Sequence, residues 1–161
     1  MNLFKTFIFI LVAPAAVTIY LPYWLLSARP TPPLPPPLGP LRYAGLLPIL
    51  VGAAINGWCA WDFAMKGRGT PAPIDPPKEL VACGLYAYVR NPMYVGVMSI
   101  LLGEVLLFAA STLLWYAATV FVGFNLFVLL YEEPTLRHKF GAAYERYCLR
   151  VPRWLPRLSR N

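Results

Sequence analysis

Charged residues are scarce in this sequence, and so is histidine. Only 13% of the 161 residues are charged, whereas 58% are hydrophobic and the mean hydropathy is +0.55. A water-soluble globular protein needs roughly a quarter of its residues charged to cover its surface. The composition therefore excludes a soluble enzyme, a disordered tail and a coiled coil, and leaves no room for a separate extramembrane domain.

Patterns that bind metals or nucleic acids are also missing. His138 is the only histidine, which excludes a multi-histidine metal site of the di-iron kind. Cys59, Cys83 and Cys148 show neither CxxC nor Cys/His ligand spacing, which favours a role as small apolar side chains. We expect no metal site, no dinucleotide-binding strand and no nucleic-acid partner.

Four apolar runs are long enough to cross a bilayer, which takes about 20 residues of helix. They cover about residues 3–26, 41–65, 92–110 and 112–131. We therefore predict an all-α, polytopic membrane protein with about four transmembrane helices that form a single domain over residues 1–161. Pro14 or Pro22 should bend the first span, since proline removes a helical hydrogen bond.

The segments between the spans predict how the helices are arranged. Residues 29–40 contain seven prolines and cannot be helical, so they should form a short, stiff connector. The junction at 109–112 is so short that the third and fourth spans must form an antiparallel hairpin.

Positive charge predicts the orientation. With four spans, twelve Lys and Arg residues fall on the side of both termini and of segment 66–91, and only Arg29 and Arg42 fall on the other side. Positively charged segments stay in the cytosol, so we predict cytosolic termini. The net charge of +7 favours contact with anionic lipid headgroups. We expect a multi-pass protein of a bacterial or archaeal inner membrane, without an obligate protein partner.

The last thirty residues are polar and basic, but apolar side chains recur among them at spacings of three and four. This spacing predicts an amphipathic helix at the cytosolic interface. The residues concerned are Leu136, Phe140, Tyr144, Tyr147 and Val151.

Two polar groups lie at the cytosolic ends of the third and fourth spans. One is the segment Arg-Asn-Pro-Met-Tyr-Val-Gly at 90–96, and the other is the pair Glu132 and Glu133. Since the two spans are neighbours, we expect these groups to lie close together. A guanidinium beside paired carboxylates can bind a zwitterion, because Arg grips carboxylates and Glu accepts from ammonium or hydroxyl groups. The alternative is a salt bridge between Arg90 and the glutamates that only joins two helix ends.

Two further residues are candidates for binding a substrate. Glu104 is a carboxylate within the third span, which indicates either a functional site or a protonated structural group. Trp61, near the cytosolic end of the second span, is the other candidate.

The motifs together resemble a known superfamily. Residues 84–96 read Gly-Leu-Tyr-Ala-Tyr-Val-Arg-Asn-Pro-Met-Tyr-Val-Gly; a hydrophobic hairpin, the Glu132-Glu133 pair and the tail through Val-Pro-Arg-Trp-Leu-Pro at 151–156 follow. In this order they resemble the isoprenylcysteine carboxyl methyltransferase and phospholipid methyltransferase superfamily, whose pattern is Arg-His-Pro-x-Tyr-x-Gly and then Glu-Glu. Asn91 stands where the eukaryotic carboxyl methyltransferases have histidine and cannot titrate. Pro134 should kink a helix that is usually straight in that superfamily.

The resemblance implies an integral-membrane methyltransferase that uses S-adenosylmethionine and releases S-adenosylhomocysteine. The cofactor would be held within about residues 84–156, with Arg90 and Glu133 as the catalytic candidates. Carried over by position and neighbourhood, the cofactor-binding residues would be Gly84, Tyr86, Arg90, Asn91, Pro92, Tyr94, Gly96, Glu132 and Glu133. Methyl transfer needs alignment and a desolvated site, and no metal.

The methyl acceptor stays open at this point. An isoprenylcysteine carboxylate, a phospholipid amine and a small hydrophobic thiol or amine all fit, in a pocket expected from the first two spans and the proline connector. A small four-helix proton-coupled multidrug exporter that uses Glu104 is the chief alternative. A membrane scaffold and a sterol-reductase relative with a nicotinamide cofactor are the other two.

Overall fold

The computed structural model describes residues 12–28, 32–34, 38–66, 80 and 82–156. Within these ranges the chain forms helices and no strand. The helices are α1 (Val12–Ala28), α2 (Leu46–Lys66, preceded by the 3₁₀ segment Gly39–Gly45), α3 (Pro92–Phe108), α4 (Ser111–Phe140) and α5 (Ala142–Arg150), with a 3₁₀ turn at Gly84–Ala87 before α3. The all-α fold class is confirmed.

Two of the four predicted spans reach the length of a membrane crossing in the described part of the chain. They are Gly39–Asp62 and Ser111–Phe140. Helices α1 and α3 are also apolar but shorter, and α3 has 17 residues. Helix α3 ends at Phe108 because Ala109 adopts a left-handed backbone, with φ 49°. The start of the first predicted span lies outside the described residues.

Prolines shape α1 and α4 in the same way. A π-helical turn covers Ala16–Tyr20 just before Pro22, and another covers Val128–Glu132 just before Pro134. Proline has no N–H to donate to the carbonyl four residues earlier, and widening the preceding turn is one way in which a helix accommodates that loss. The chain thus passes both prolines without a break in the helix.

Glycines bring α2 and α3 into direct backbone contact. A Cβ built on Gly52 would overlap the Gly96 carbonyl, and a Cβ built on Gly45 would overlap the Gly103 carbonyl. The two contacts are seven residues apart in both chain segments, so they lie on one side of each segment, and the two segments run antiparallel. This seam leaves no space between α2 and α3 at either level.

Helices α3 and α4 form the predicted hairpin, and its turn is held by the proline connector. The Leu34 N–H donates to the Ala109 carbonyl at 2.7 Å, and the Ser111 N–H donates to the Pro32 carbonyl at 3.1 Å. Below the turn, the buried core is made of α3 and α4 side chains: Val97, Leu101, Val105, Ala110, Leu113 and Ala117. Helix α1 joins this core through the Tyr116 hydroxyl, which donates to the Val17 carbonyl at 2.8 Å.

The connector therefore lies at the opposite end of α3 from Arg90. At 1.5 Å per residue, the 17 residues of α3 separate the two ends by roughly 25 Å. The described connector residues, 32–34, therefore lie far from Arg90, and the acceptor pocket expected from the first two spans and the connector stays a prediction.

The predicted amphipathic series is divided between two helices. Helix α4 continues past residue 131 to Phe140, and Gly141, at φ 49° and ψ −128°, ends it. Helix α5 then starts at Ala142. Of the five apolar residues in the series, Tyr144 and Val151 are buried, both of them after the break.

Candidate cofactor site

A tight turn before α3 positions the first part of the candidate site. Gly84 has φ 59°, and a Cβ at this position would overlap the carboxylate of Asp62, which is itself buried. The Trp58 indole N–H donates to the same carboxylate at 3.0 Å. The 3₁₀ turn that carries Tyr86 therefore lies directly on the end of α2, and glycine is needed there for both its conformation and its size.

Arg90 and Glu133 meet at the ends of α3 and α4. Arg90 Nη1 donates to Glu133 Oε1 at 3.0 Å and to Cys148 Sγ at 3.0 Å. Both side chains are well buried, with 12% of Arg90 and 8% of Glu133 exposed. The Nε of Arg90 is buried and has no hydrogen-bond partner among the described residues. An unpaired buried N–H is costly, and a hydrogen bond to a ligand oxygen would remove that cost.

Arg153 is a second cation on Glu133. Its Nε donates to Glu133 Oε1 at 2.7 Å and its Nη2 donates to Glu133 Oε2 at 3.0 Å, which makes a bidentate pair. The Glu133 carboxylate raises the pKa of Arg153 above its usual value, so this guanidinium stays charged. The cluster of Arg90, Glu133 and Arg153 thus carries one net positive charge.

The segment that bears Arg153 is held across the ends of α3 and α4. The Arg90 N–H donates to the Pro152 carbonyl at 2.9 Å, and Asn91 Nδ2 donates to the Arg153 carbonyl at 3.2 Å. Asn91 therefore fixes the C-terminal segment through its amide.

Helix α5 and Glu132 contribute the remaining contacts of the candidate site. The Tyr147 hydroxyl on α5 donates to the Tyr86 carbonyl at 2.7 Å, and burial raises the pKa of Tyr147, so it remains a neutral donor. The Tyr94 hydroxyl on α3 donates to Glu132 Oε2 at 2.9 Å. The two glutamates thus face different partners: Glu132 a tyrosine, Glu133 two arginines.

Most of the residues predicted for the site are brought together, and a few are not. Pro92 is the first residue of α3 and is buried next to Asn91. Gly96 faces Gly52 and Asn56 on α2, so its lack of a side chain serves helix packing. Trp61 is 66% exposed on α2. Glu104 lies 14 residues along α3 from Arg90, about 20 Å away by the helical rise, and its Oε2 has no partner among the described residues.

Sequence reasoning missed the contacts that the C-terminal segment makes. Arg153 is the bidentate partner of Glu133, Cys148 contacts Arg90, and Trp154 Nε1 donates to Asn125 Oδ1 at 3.1 Å. The only signal for Asn125 was an amide inside an apolar run, which membrane helices rarely place without a partner.

Comparison with known proteins decides the family. Residues 41–143, well over half of the chain, match the profile of the phospholipid methyltransferase family. The chain belongs to the phospholipid methyltransferase family. Arg90, Glu132 and Glu133 lie inside the matched region, whereas Arg153 and Trp154 lie beyond its end.

A relative with a methyltransferase name is consistent with the assignment. The chain is 40% identical over 79 residues to a protein-S-isoprenylcysteine O-methyltransferase of Schizosaccharomyces pombe. The aligned part covers 48% of this chain and 33% of the relative, so it spans about a third of that protein's length. No solved structure matches the chain significantly.

Proposed function

We propose that this protein transfers a methyl group from S-adenosylmethionine to a lipid-linked or small hydrophobic acceptor at the cytosolic face of a membrane. The observation that carries the proposal is the cluster of Arg90, Glu133 and Arg153 at the ends of two apolar helices. Arg90 and Glu133 are buried in it, and Arg90 Nε has no hydrogen-bond partner among the described residues. In a member of the phospholipid methyltransferase family, such a cluster suits a zwitterionic cofactor.

The residues present fit the polar groups of S-adenosylmethionine. Its amino-acid part carries a carboxylate and an ammonium, and its ribose carries two hydroxyls. Arg90 Nε, which lacks a partner among the described residues, would donate to the carboxylate, and Glu132 beside it would accept from the ammonium or from the hydroxyls. When bound, the cofactor supplies an activated methyl group on a positively charged sulfur.

The other residues of the cluster act through position. Glu133 holds Arg90 and Arg153 at fixed distances, so that Arg90 does not have to be ordered when the ligand arrives. Asn91 and Tyr147 fix the C-terminal segment and α5 against α3 and against the turn before it. Such preorganisation lowers the entropic cost of alignment, and alignment is the main requirement of a one-step displacement.

The proposed cytosolic location of the site rests on how positive charge is distributed between the two ends of the helices. The proline connector and the α3–α4 turn lie at one end, and Arg90, Glu132 and Glu133 lie at the other. Twelve of the fourteen Lys and Arg residues belong to the second end if α1 to α4 all cross the membrane. By the positive-inside rule, that end is cytosolic, where the soluble cofactor is available, and α5 would lie at the interface on that side.

The acceptor class follows from the relatives. The family name points to a phospholipid, and the relative from Schizosaccharomyces pombe is named for isoprenylcysteine. Both are amphipathic molecules that stay in a bilayer, and a carboxylate or an amine would accept the methyl group. A multidrug exporter is not favoured, because the family is one of methyltransferases and Glu104 lies about 20 Å from the polar cluster.

The proposal is tested by methyl transfer in reconstituted membranes. The purified protein would be mixed with methyl-labelled S-adenosylmethionine and with lipid extracts, farnesylated N-acetylcysteine or phosphatidylethanolamine. We expect label in one lipid-soluble product that depends on the wild-type protein. A matched protein with Arg90→Lys keeps the charge but loses the planar fork, and it should bind cofactor less tightly. No labelled product from any acceptor, together with no binding of S-adenosylhomocysteine, would refute the proposal.

A further inference from the structure

Asn125 is a polar residue in the middle of an apolar helix, and its partner comes from outside that helix. It lies on α4, seven residues and therefore about 10 Å from Glu132 along the axis. Its Nδ2 donates to the Phe121 carbonyl at 2.8 Å, and its Oδ1 accepts from Trp154 Nε1 at 3.1 Å. The C-terminal segment thus places Trp154 nearer to the middle of α4 than the glutamates are.

The Trp154 ring lies between an exposed aromatic ring of α4 and the candidate site. Its centroid is 5.8 Å from that of Phe121, which is 43% exposed and would face lipid if α4 crosses the membrane. It is 6.3 Å from the ring of Tyr94, whose hydroxyl donates to Glu132. Tyr94 also stacks on Phe124 at 4.6 Å. A path from the bilayer to Glu132 along α4 therefore passes the Trp154 ring.

The opposite side of α3 offers no such path. Gly52 and Gly96 are in backbone contact, and Gly96 is one turn from the start of α3. Backbone contact cannot open by a side-chain rotation, whereas a tryptophan held by one hydrogen bond can move.

We propose that Trp154 and Asn125 form a gate on the lipid side of the site, through which the methyl acceptor enters with its head group toward Tyr94 and Glu132 and its apolar chain along α4. This rests on the proposed function for the identity of the ligand. In the closed gate the indole N–H is paired with Asn125 Oδ1. When the acceptor binds, its isoprenoid or acyl chain takes the place of the indole ring against Phe121 and Tyr94.

The gate makes an unusual prediction, because removing its hydrogen bond should improve binding. Trp154→Phe keeps an aromatic ring and loses the N–H, so the closed state is weakened. The apparent affinity rises with the fraction of open protein. We expect the KM for farnesylated N-acetylcysteine to fall about 2- to 10-fold, which is the range given by a hydrogen bond of about 0.5–1.4 kcal/mol. Asn125→Leu removes the acceptor of the same hydrogen bond and should lower KM in the same direction.

Two controls separate the gate from general effects. Trp115→Phe changes a 74% exposed tryptophan at the other end of α4 and should leave KM unchanged. The affinity for S-adenosylhomocysteine, measured by calorimetry, should be the same in wild type and Trp154→Phe, which shows that the cofactor site is intact. An unchanged or higher KM in Trp154→Phe with normal cofactor affinity would overturn the gate.

A second measurement does not depend on turnover. A farnesyl probe with a photoreactive diazirine would be bound to the wild-type protein in nanodiscs, irradiated, and located by mass spectrometry of peptides. We expect labelling of α4 around Phe121 and of the segment with Trp154, and competition by unlabelled farnesylated N-acetylcysteine. Labelling confined to α1 and α2, or labelling that no competitor reduces, would refute the gate. Absence of methyl transfer alongside competed labelling at the gate would refute the proposed function alone.

Discussion

Replacing Glu133 by Gln removes the negative charge that two arginines share. The side chains of Arg90 and Glu133 are 12% and 8% exposed, so Arg90 would remain buried without a counter-ion. Loss of one partner of a buried ion pair costs about 3–5 kcal/mol. Glutamine keeps the shape and one accepting oxygen, and Arg153 is 31% exposed and can turn to solvent. We therefore expect the free energy of unfolding to fall by an amount near the lower end of this range, about 3 kcal/mol.

The chain offers a matched control in a second Arg–Glu pair. Arg137 and Glu145 are joined at 2.7 Å, but their side chains are 49% and 51% exposed. Such pairs contribute less than about 1 kcal/mol, so Glu145→Gln should change little. At roughly 2–4 °C per kcal/mol for a chain of this size, Tm in detergent should fall by about 6–12 °C for Glu133→Gln. Equal Tm shifts in the two variants would refute the argument from burial.

Three further predictions test the helix packing, the topology and the partly buried Tyr147. Gly96→Ala would overlap Asn56 Nδ2 and crowd the Gly52 carbonyl on α2, so it should destabilise the protein by about 1–3 kcal/mol. Gly123→Ala would meet no described atom within 4 Å and should be neutral or stabilising in thermal denaturation. A cysteine at the exposed Pro33 should react with impermeant maleimide only from the non-cytosolic side of oriented vesicles, and reaction from the cytosolic side would reverse the topology. Burial raises the pKa of Tyr147 in the folded protein. The neutral hydroxyl therefore stabilises the fold fully below the pKa of the unfolded chain, about 10, and this stabilisation is lost as pH rises beyond that value. Tyr147→Phe should therefore lose less stability than wild type between pH 9 and 11, and parallel losses would contradict this.

Local sequence signals accounted for the helices and for the meeting of Arg90 with Glu133. The short 109–112 junction required an antiparallel hairpin, and the hairpin brings the first residues of α3 next to the last turns of the fourth span. The prolines predicted the irregular turns of α1 and α4, because each lacks a donor for the preceding turn. These features depend on contacts close in sequence or on chain geometry.

Features that depend on long-range packing could not be read from the sequence. Glycine at 96 is suited equally to a ligand and to another backbone, and only the placement of α2 shows that Gly52 is its neighbour. Gly141 divided one expected helix into two, and the chain beyond it brings Arg153 to Glu133 and Trp154 to Asn125. A periodic series of apolar residues does not indicate where such a break falls.

A cofactor site at these helix ends can be tested by the binding of S-adenosylhomocysteine to the purified protein in detergent. We predict saturable binding by calorimetry, weakened by about 1.5–3 kcal/mol in Glu132→Gln, a residue that takes no part in the Arg90–Glu133–Arg153 cluster. Glu145→Gln, at the exposed pair, should bind as the wild type does. Absence of binding, or equal affinity in the wild type and in Glu132→Gln, would contradict a cofactor site at these helix ends.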